Sequence, residues 1–184
     1  MPIQIGKRPD HGFDEPLGLL SDCHRRIEHF LWVIAVRSRE AAGGPLSDSQ
    51  RTDLDGALRY FSTAAPRHTA DEEGSLFPRL RAVDDARVAA ALRAIERLEA
   101  DHDVANQHHA EVDRLVRQWI DEGHVPAADH AALTGHVEAL QALYREHIAF
   151  EDRELFPAAA RTLTPAQQAD IGAEMARRRG LTSE

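Results

Sequence analysis

The chain has 184 residues, of which 42% are hydrophobic and 29% are charged, a balance typical of a folded globular domain rather than of a disordered chain. Its 31 acidic residues against 22 Lys and Arg residues give a formal charge of −9, which argues against nucleic acid as a partner. Cys23 is the only cysteine, so one chain cannot form an internal disulfide or a thiolate cluster. Any metal must therefore use nitrogen and oxygen ligands.

The length and the first residues predict a single cytoplasmic domain. A chain of this length can bury a core as one domain over 1–184. No apolar run approaches the roughly 18 to 20 residues of a membrane span, so we expect no membrane partner. Residues 1–16 include charged side chains but no apolar stretch of the secretory type, and we therefore expect a cytoplasmic location.

Two stretches near the start of the chain repeat apolar residues at helical spacing. The first predicted helix spans about 16–42 and should stop at Gly43-Gly44-Pro45, because glycine favours a helix C-cap and proline cannot continue a helix. The second spans about 48–78, with Ser47 as one of two possible N-caps. Pro66 lacks a backbone donor inside this second stretch, so we expect a kink there.

Two further long helices and a short one complete the predicted fold. The third helix spans about 85–122 and the fourth about 127–160. Long helices joined by short loops pack most economically as antiparallel neighbours, which predicts an all-α, up-down-up-down four-helix bundle over about 16–160. An extra C-terminal helix over about 165–179 begins with the capping-box residue Thr164, and we expect it to pack outside the bundle.

The second and fourth predicted helices end in the same pattern. His68 and Glu72 are four residues apart and lead into the sequence Leu-Phe-Pro, and His147 and Glu151 lead into Leu-Phe-Pro at identical offsets. Residues four apart lie on one face of a helix, one turn above each other, so a single metal ion can contact both. The repeat resembles a duplicated helical hairpin.

Each hairpin also carries a histidine on its first helix. His24 precedes His68 by 44 residues, and His102 precedes His147 by 45. All four histidines fall on the apolar stripes of their helices and should point into the core. One such histidine, or one His-x-x-x-Glu pair, is usually structural, which leaves a metal-free scaffold as one hypothesis. The joint pattern instead indicates a metal site, because a buried carboxylate without a cation is costly.

The donor set limits the choice of metal. Imidazole and carboxylate ligands without thiolate suit iron, manganese or zinc. Six ligands indicate two ions, with a single zinc as an alternative. Four nitrogen ligands and two carboxylates shared by two metals leave coordination positions for water or a small diatomic molecule, which predicts a reactive or ligand-binding site.

These residues resemble the hemerythrin-like family of cation-binding domains over about 16–160. The resemblance implies a four-helix bundle with a non-haem di-iron centre. It also implies that the four histidines are terminal ligands and the two glutamates bridging carboxylates, namely His24, His68, Glu72, His102, His147 and Glu151. The sequence departs from the oxygen-carrying members of the family, which place a second histidine four residues after the first on the third helix, where this chain has Asn106.

Other side chains near the motif have open roles. His109 lies two turns beyond His102 and is a candidate for a fifth nitrogen ligand, and Glu28, four residues after His24, is a candidate carboxylate. Tyr144 and Glu99 lie one turn before a motif histidine, where they are placed as hydrogen-bond partners of a metal-bound imidazole.

Two classes of function fit the predicted centre. The first is a binding or sensing protein whose iron pair takes up oxygen, nitric oxide or iron itself. The second is an enzyme that acts on oxygen or peroxide, or that donates iron in the repair of iron centres. We favour the first class and keep the enzyme as the alternative, toward which the histidine missing from the third helix points.

Overall fold

The computed structural model describes residues 10–83 and 89–181, and every regular element within them is helical, which confirms the all-α class. No helix in this part of the chain is long and apolar enough to cross a membrane. The elements are α1 (Pro16–Ala41), α2 (Asp48–Thr63), α3 (Ala65–Asp71), π1 (Glu72–Leu76), α4 (Phe77–Arg81), α5 (Ala89–Glu122), α6 (Ala127–Phe150), π2 (Glu151–Leu155), α7 (Phe156–Thr162) and α8 (Pro165–Arg178).

The turn between α1 and α2 has the predicted stop and start signals. Helix α1 ends in left-handed backbone at Ala42, with φ of 47°, and at Gly43, with φ of 80°. Ser47 then caps α2 in a capping box with Gln50, each side chain bonding to the other's backbone amide. The carbonyl of Gly43 accepts a hydrogen bond from the amide of Val125 at 2.9 Å, which ties this turn to the loop between α5 and α6.

The predicted second helix is divided into α2, α3, π1 and α4. The break between α2 and α3 falls at Ala64, and Pro66 lies in the first turn of α3, where its missing amide hydrogen costs no helical bond. The helical path continues to Arg81, past the predicted end near Pro78, because Pro78 also lies in a first turn, that of α4. The predicted start of the third helix near residue 85 lies outside the described residues.

Both His-x-x-x-Glu repeats run into a π-helical segment. The amide of Phe77 donates to the carbonyl of Glu72, and the amide of Phe156 donates to that of Glu151, each a bond that spans five residues. The following residue is a proline in each case, and a proline lacks the donor that would continue the α-helical ladder. The helix therefore widens into a π-helical turn that begins at the glutamate, and such turns are frequent at functional sites.

Buried apolar side chains form two separate clusters. The larger lies where α1, α2, α5 and α6 pack together and includes Leu31, Leu54 and Trp119. The smaller includes Leu20 and Phe77 and joins the start of α1 to α4, α5, α7 and α8. The burial of both clusters is the main stabilising contribution that can be identified in the fold.

Helix α8 packs against α1, α3 and π1. Ile171 and Met175 are fully buried and belong to the smaller apolar cluster. Gly172 allows this close approach, because a Cβ atom there would lie 1.8 Å from the carbonyl oxygen of Phe13. The C-terminal helix is therefore part of the core.

We predict that Ile171→Ala lowers the free energy of unfolding by about 2–5 kcal/mol, because it removes buried methyl groups and leaves a cavity. Urea denaturation measures the change. The control is Asp170→Ala, an exposed position on the same helix, which should change stability by less than about 0.5 kcal/mol. Equal effects of the two substitutions would show that α8 contributes no core packing.

Candidate metal centre

The four predicted histidines converge between the two apolar clusters. Along α1, His24 lies between Leu20 of the smaller cluster and Ile27 of the larger one, and along α5 His102 lies between Leu98 and Ala105 in the same way. The other two histidines, on α3 and α6, have the same placement. At most 5% of any of these four residues is exposed, so the histidines form a polar layer inside an apolar core.

The four histidines form two pairs, one from the first half of the chain and one from the second. The ring centroids of His24 and His68 are 4.9 Å apart, and those of His102 and His147 are 4.8 Å apart. The pairing therefore follows the two predicted hairpins. Each hairpin contributes one side of the centre.

The two glutamates lie between the histidine pairs. Oε1 of Glu72 is 3.3 Å from Nε2 of His68, and its Oε2 is 3.4 Å from Nε2 of His102. Oε2 of Glu151 is 3.1 Å from Nε2 of His24 and 3.2 Å from Nε2 of His147. Each carboxylate thus contacts imidazoles of both hairpins.

The buried polar atoms at the centre lack conventional hydrogen-bond partners. Both carboxylate oxygens of Glu72 and of Glu151 are buried without a hydrogen bond to any described residue, as is Nε2 of His24 and of His147. Leaving such groups unsatisfied costs several kcal/mol in an apolar core. A bound cation removes this cost, and neutral imidazole with ionised carboxylate is a donor set that cations use.

The donor atoms form two groups that are each compact enough for one ion. His24, His68, Glu72 and Glu151 offer four donor atoms within 4.8 Å of one another, and Glu72, His102 and His147 offer three. The two groups share Glu72. All six predicted ligand residues are therefore brought together, while their role as ligands stays a prediction.

Three histidines are oriented by carboxylates outside the centre. Nδ1 of His24 lies 3.0 Å from Asp152, and Nδ1 of His102 lies 2.8 Å from Glu73. Nδ1 of His147 lies 3.3 Å from Asp101. A hydrogen bond at Nδ1 directs the other ring nitrogen, Nε2, toward the centre and raises its basicity, as carboxylates do for metal-bound histidines.

The match to known families agrees with this geometry. A family model described as the hemerythrin HHE cation-binding domain matches residues 15–159. The chain belongs to this hemerythrin family. An uncharacterized protein of Haemophilus influenzae is 25% identical over 168 residues, which are 91% of each of the two chains. Family membership and the buried histidine and glutamate cluster together support cation binding by this hemerythrin-like chain.

The orienting carboxylates were not the residues that sequence spacing selected. Glu99 lies 2.7 Å from Arg81 in an ion pair, and Tyr144 lies 3.1 Å from His109. The actual partners, Glu73, Asp152 and Asp101, each adjoin a predicted ligand residue in the sequence. That adjacency was the available signal, but it does not show which histidine each carboxylate reaches.

His68 is the exception among the four histidines. Its Nδ1 is buried and has no hydrogen-bond partner among the described residues. In the other hairpin Asp101, the residue before His102, lies at Nδ1 of His147. The residue before His24 is Cys23, so the first hairpin has a thiol where the second has a carboxylate. The duplication is therefore incomplete at this position.

The charges of the centre shift the histidine pKa values apart. Burial opposes protonation of His102, but the nearby carboxylates of Glu72 and Glu73 outweigh it and raise its pKa to about 9. Burial also opposes protonation of His24. The nearby carboxylates of Asp152, Glu151 and Glu72 outweigh burial and raise the pKa of His24. For His68 burial dominates and lowers the pKa.

The remaining candidates lie away from the centre. Nε2 of His109 faces the Tyr144 hydroxyl and its ring stacks on Phe61 with centroids 4.3 Å apart, and it belongs to neither donor group. Burial lowers the pKa of His109 to about 4, so it is a neutral imidazole. Glu28 and Asn106 are exposed on outer helix faces. These positions give no support to a fifth nitrogen ligand.

Helix α8 is joined to the chain segment that carries Glu72. Asp71 is fully buried and accepts hydrogen bonds from Arg178 at 2.8 Å and from Arg179 at 2.6 Å. Arg178 also donates to the hydroxyl of Ser75 in π1 at 2.7 Å. These contacts fix the backbone before and after Glu72. They use Arg178 and Arg179, two of the three consecutive arginines near the C-terminus.

We predict that Asp152→Asn weakens metal binding by about 10- to 100-fold, because the amide no longer provides a charged acceptor for His24. Competition with a chelator of known affinity measures the change. Glu154→Gln is the matched control, since Glu154 is exposed in the same segment and should leave the affinity unchanged. Equal affinities in the two variants would contradict the orienting role of Asp152.

The metal-free protein should lose stability as the pH rises from about 6.5 to 9. The folded-state pKa of His102 lies above its ordinary value of 6.5, so its stabilising contribution is complete below 6.5 and is lost as pH rises through 9. Thermal unfolding after chelator treatment measures this slope. His102→Gln should make the slope shallower, and an unchanged slope would rule out His102 as its source.

Proposed function

We propose that this hemerythrin-like chain holds two non-haem irons and uses them to bind or sense a small ligand, namely oxygen, nitric oxide or iron itself. The observation that supports a pair of ions is the sharing of Glu72 by two compact donor groups. Its Oε1 is directed toward His68 and its Oε2 toward His102, so the carboxylate is placed to bridge. Glu151 also lies between the two hairpins, with a single oxygen, Oε2, near Nε2 of both His24 and His147.

The choice of iron rests on the chemistry of the donors. Four imidazoles and two carboxylates without a thiolate suit iron, with manganese and zinc as the alternatives that metal analysis distinguishes. Two carboxylates and the negative charges at the outer faces of three imidazoles offset the charge of two divalent ions. Bound iron supplies Lewis acidity and reversible one-electron redox chemistry to this site.

The surroundings of the centre favour a small ligand. All six predicted ligand residues are buried, and the two apolar clusters close the layer on both sides. Burial and the nearby charges of Glu72 and Glu151 raise the pKa of Tyr144, so its hydroxyl keeps its proton and remains a potential donor. A diatomic molecule fits such an enclosed polar layer, whereas a large substrate does not.

We also propose that the long helices form an up-down-up-down bundle within one cytoplasmic domain. The chain would run along α1, return along α2–α4, and repeat this path with α5 and α6–α7. The hydrogen bond between Gly43 and Val125 supports this topology, because it brings the α1–α2 turn and the α5–α6 loop to the same end. The bond from Trp119 to the carbonyl of Gly44 at 2.8 Å supports it as well.

Glu72→Gln and Glu151→Gln should each reduce the iron content from two ions per chain to one or none and should lower the melting temperature of the iron-loaded protein. A bridging carboxylate contributes to both ions, and metal binding on several helices is linked to folding. Iron analysis and thermal unfolding on the same samples measure both effects. The control is Glu146→Gln, at an exposed position beside His147.

The absorption spectrum during air titration of anaerobically iron-loaded protein tests the proposed activity. A reversible charge-transfer band with two irons per chain supports ligand binding or sensing. An irreversible change to a ferric spectrum with consumption of peroxide supports the alternative, a di-iron enzyme or an iron donor for repair. Failure to take up iron would overturn both forms of the proposal.

A further inference from the structure

One cavity is lined by residues of α1, α2 and α3 and of the segments before α1 and after α8. Its volume is about 490 Å³, which is within the range of small-molecule sites. The lining includes Cys23, the neighbour of His24 in the sequence, and residues of the segment before α1, among them Asp10 and His11. None of the six predicted metal ligands lines this cavity.

Three arginines from separate parts of the chain line the cavity. Arg26 comes from α1 and Arg67 from α3, and Arg179 directly follows α8. Arg179 is paired with the buried Asp71, but no carboxylate of a described residue lies within ion-pair distance of Arg26 or Arg67. Such a concentration of positive charge stands out in a chain whose formal charge is −9.

The remaining lining does little to neutralise these guanidinium groups. Among the described lining residues Asp10 is the single carboxylate, and it lies 3.4 Å from Arg25, which does not line the cavity. The cavity therefore presents a net positive surface.

One side of the cavity is apolar and aromatic. Its walls include Phe13, Leu19, Tyr60 and Ala64. The guanidinium carbon of Arg179 lies 5.7 Å from the centre of the Phe13 ring, and with the Asp71 pairing this contact holds the arginine in place before any ligand arrives. Such preorganisation lowers the entropy cost of binding.

We propose that this cavity, here called the basic pocket, binds a small organic anion with a carboxylate or phosphate head group and an apolar body. Planar guanidinium groups match the geometry of both head groups and form paired hydrogen bonds with them. Arg26 and Arg67 have donors available for the head group. The aromatic and aliphatic side of the basic pocket fits the apolar body. This inference does not depend on which metal the centre holds.

Calorimetric titration of the metal-loaded protein with phenyl phosphate, benzoate and inorganic phosphate tests the proposal. Phenyl phosphate or benzoate should bind saturably at one site per chain, and the tighter of the two identifies the head group. Inorganic phosphate should bind at least tenfold more weakly than phenyl phosphate, because it lacks the apolar body. Equal affinities for phenyl phosphate and inorganic phosphate would overturn the proposal that the site recognises both a head group and an apolar body.

Arg26→Gln and Arg67→Gln should each weaken binding of the tighter compound about tenfold or more, since each removes a charged hydrogen-bond donor. Arg114→Gln is the control, because Arg114 is exposed on α5 and makes the same change in net charge. Arg67 is itself exposed, so its replacement tests the site even if Arg26→Gln fails to fold.

Three results would overturn the proposal. One is unchanged affinity in the Arg67→Gln protein, and another is equal weakening in the Arg114→Gln protein, which would indicate attraction to net charge alone. The third is a change in the metal absorption bands that saturates together with the heat signal, because it would place the anion at the metal centre. Absorption bands that remain constant through the titration support binding in the basic pocket and are independent of the proposed di-iron function.

Discussion

Two carboxylates buried between four imidazoles are the constraint on which this fold depends. Glu72 and Glu151 are fully buried, and neither has a hydrogen-bond donor of ordinary geometry among the described residues. Their desolvation costs several kcal/mol unless positive charge lies beside them. Imidazolium groups can supply that charge in part, as the raised pKa of His102 indicates, and a cation supplies it more fully. The two apolar clusters lie on either side of this polar layer and keep water away from the buried carboxylates.

The need for charge balance continues outward from the centre, where carboxylates and imidazoles alternate. The imidazoles contact the central carboxylates through Nε2, and three of them contact an outer carboxylate through Nδ1. Beside Glu72, the buried Asp71 is neutralised by Arg178, the last residue of α8, and by the adjoining Arg179. A helix distant in the sequence thus stabilises the backbone on which a predicted bridging ligand is carried. Local charge balance explains why this helix is part of the core.

Sequence spacing was sufficient for the features that depend on helical periodicity. The His68 and Glu72 pair, its repeat at His147 and Glu151, and the capping box at Thr164 are all set by local offsets, and the structure has them where they were expected. Spacing was insufficient for contacts between helices. The pairing of Asp152 with His24 joins residues 128 positions apart, and the π-helical segments depend on how the backbone responds to a following proline, so neither follows from periodicity.

The thiol at Cys23 breaks the internal symmetry that the duplicated hairpins otherwise share. His147 receives an outer carboxylate, and the corresponding nitrogen of His68 receives none. An imidazole without such a partner is the weaker electron donor to a metal. Under the proposed occupancy, the histidine pair that includes His68 would donate less electron density to its ion than the other pair, and the two ions would therefore differ in reduction potential.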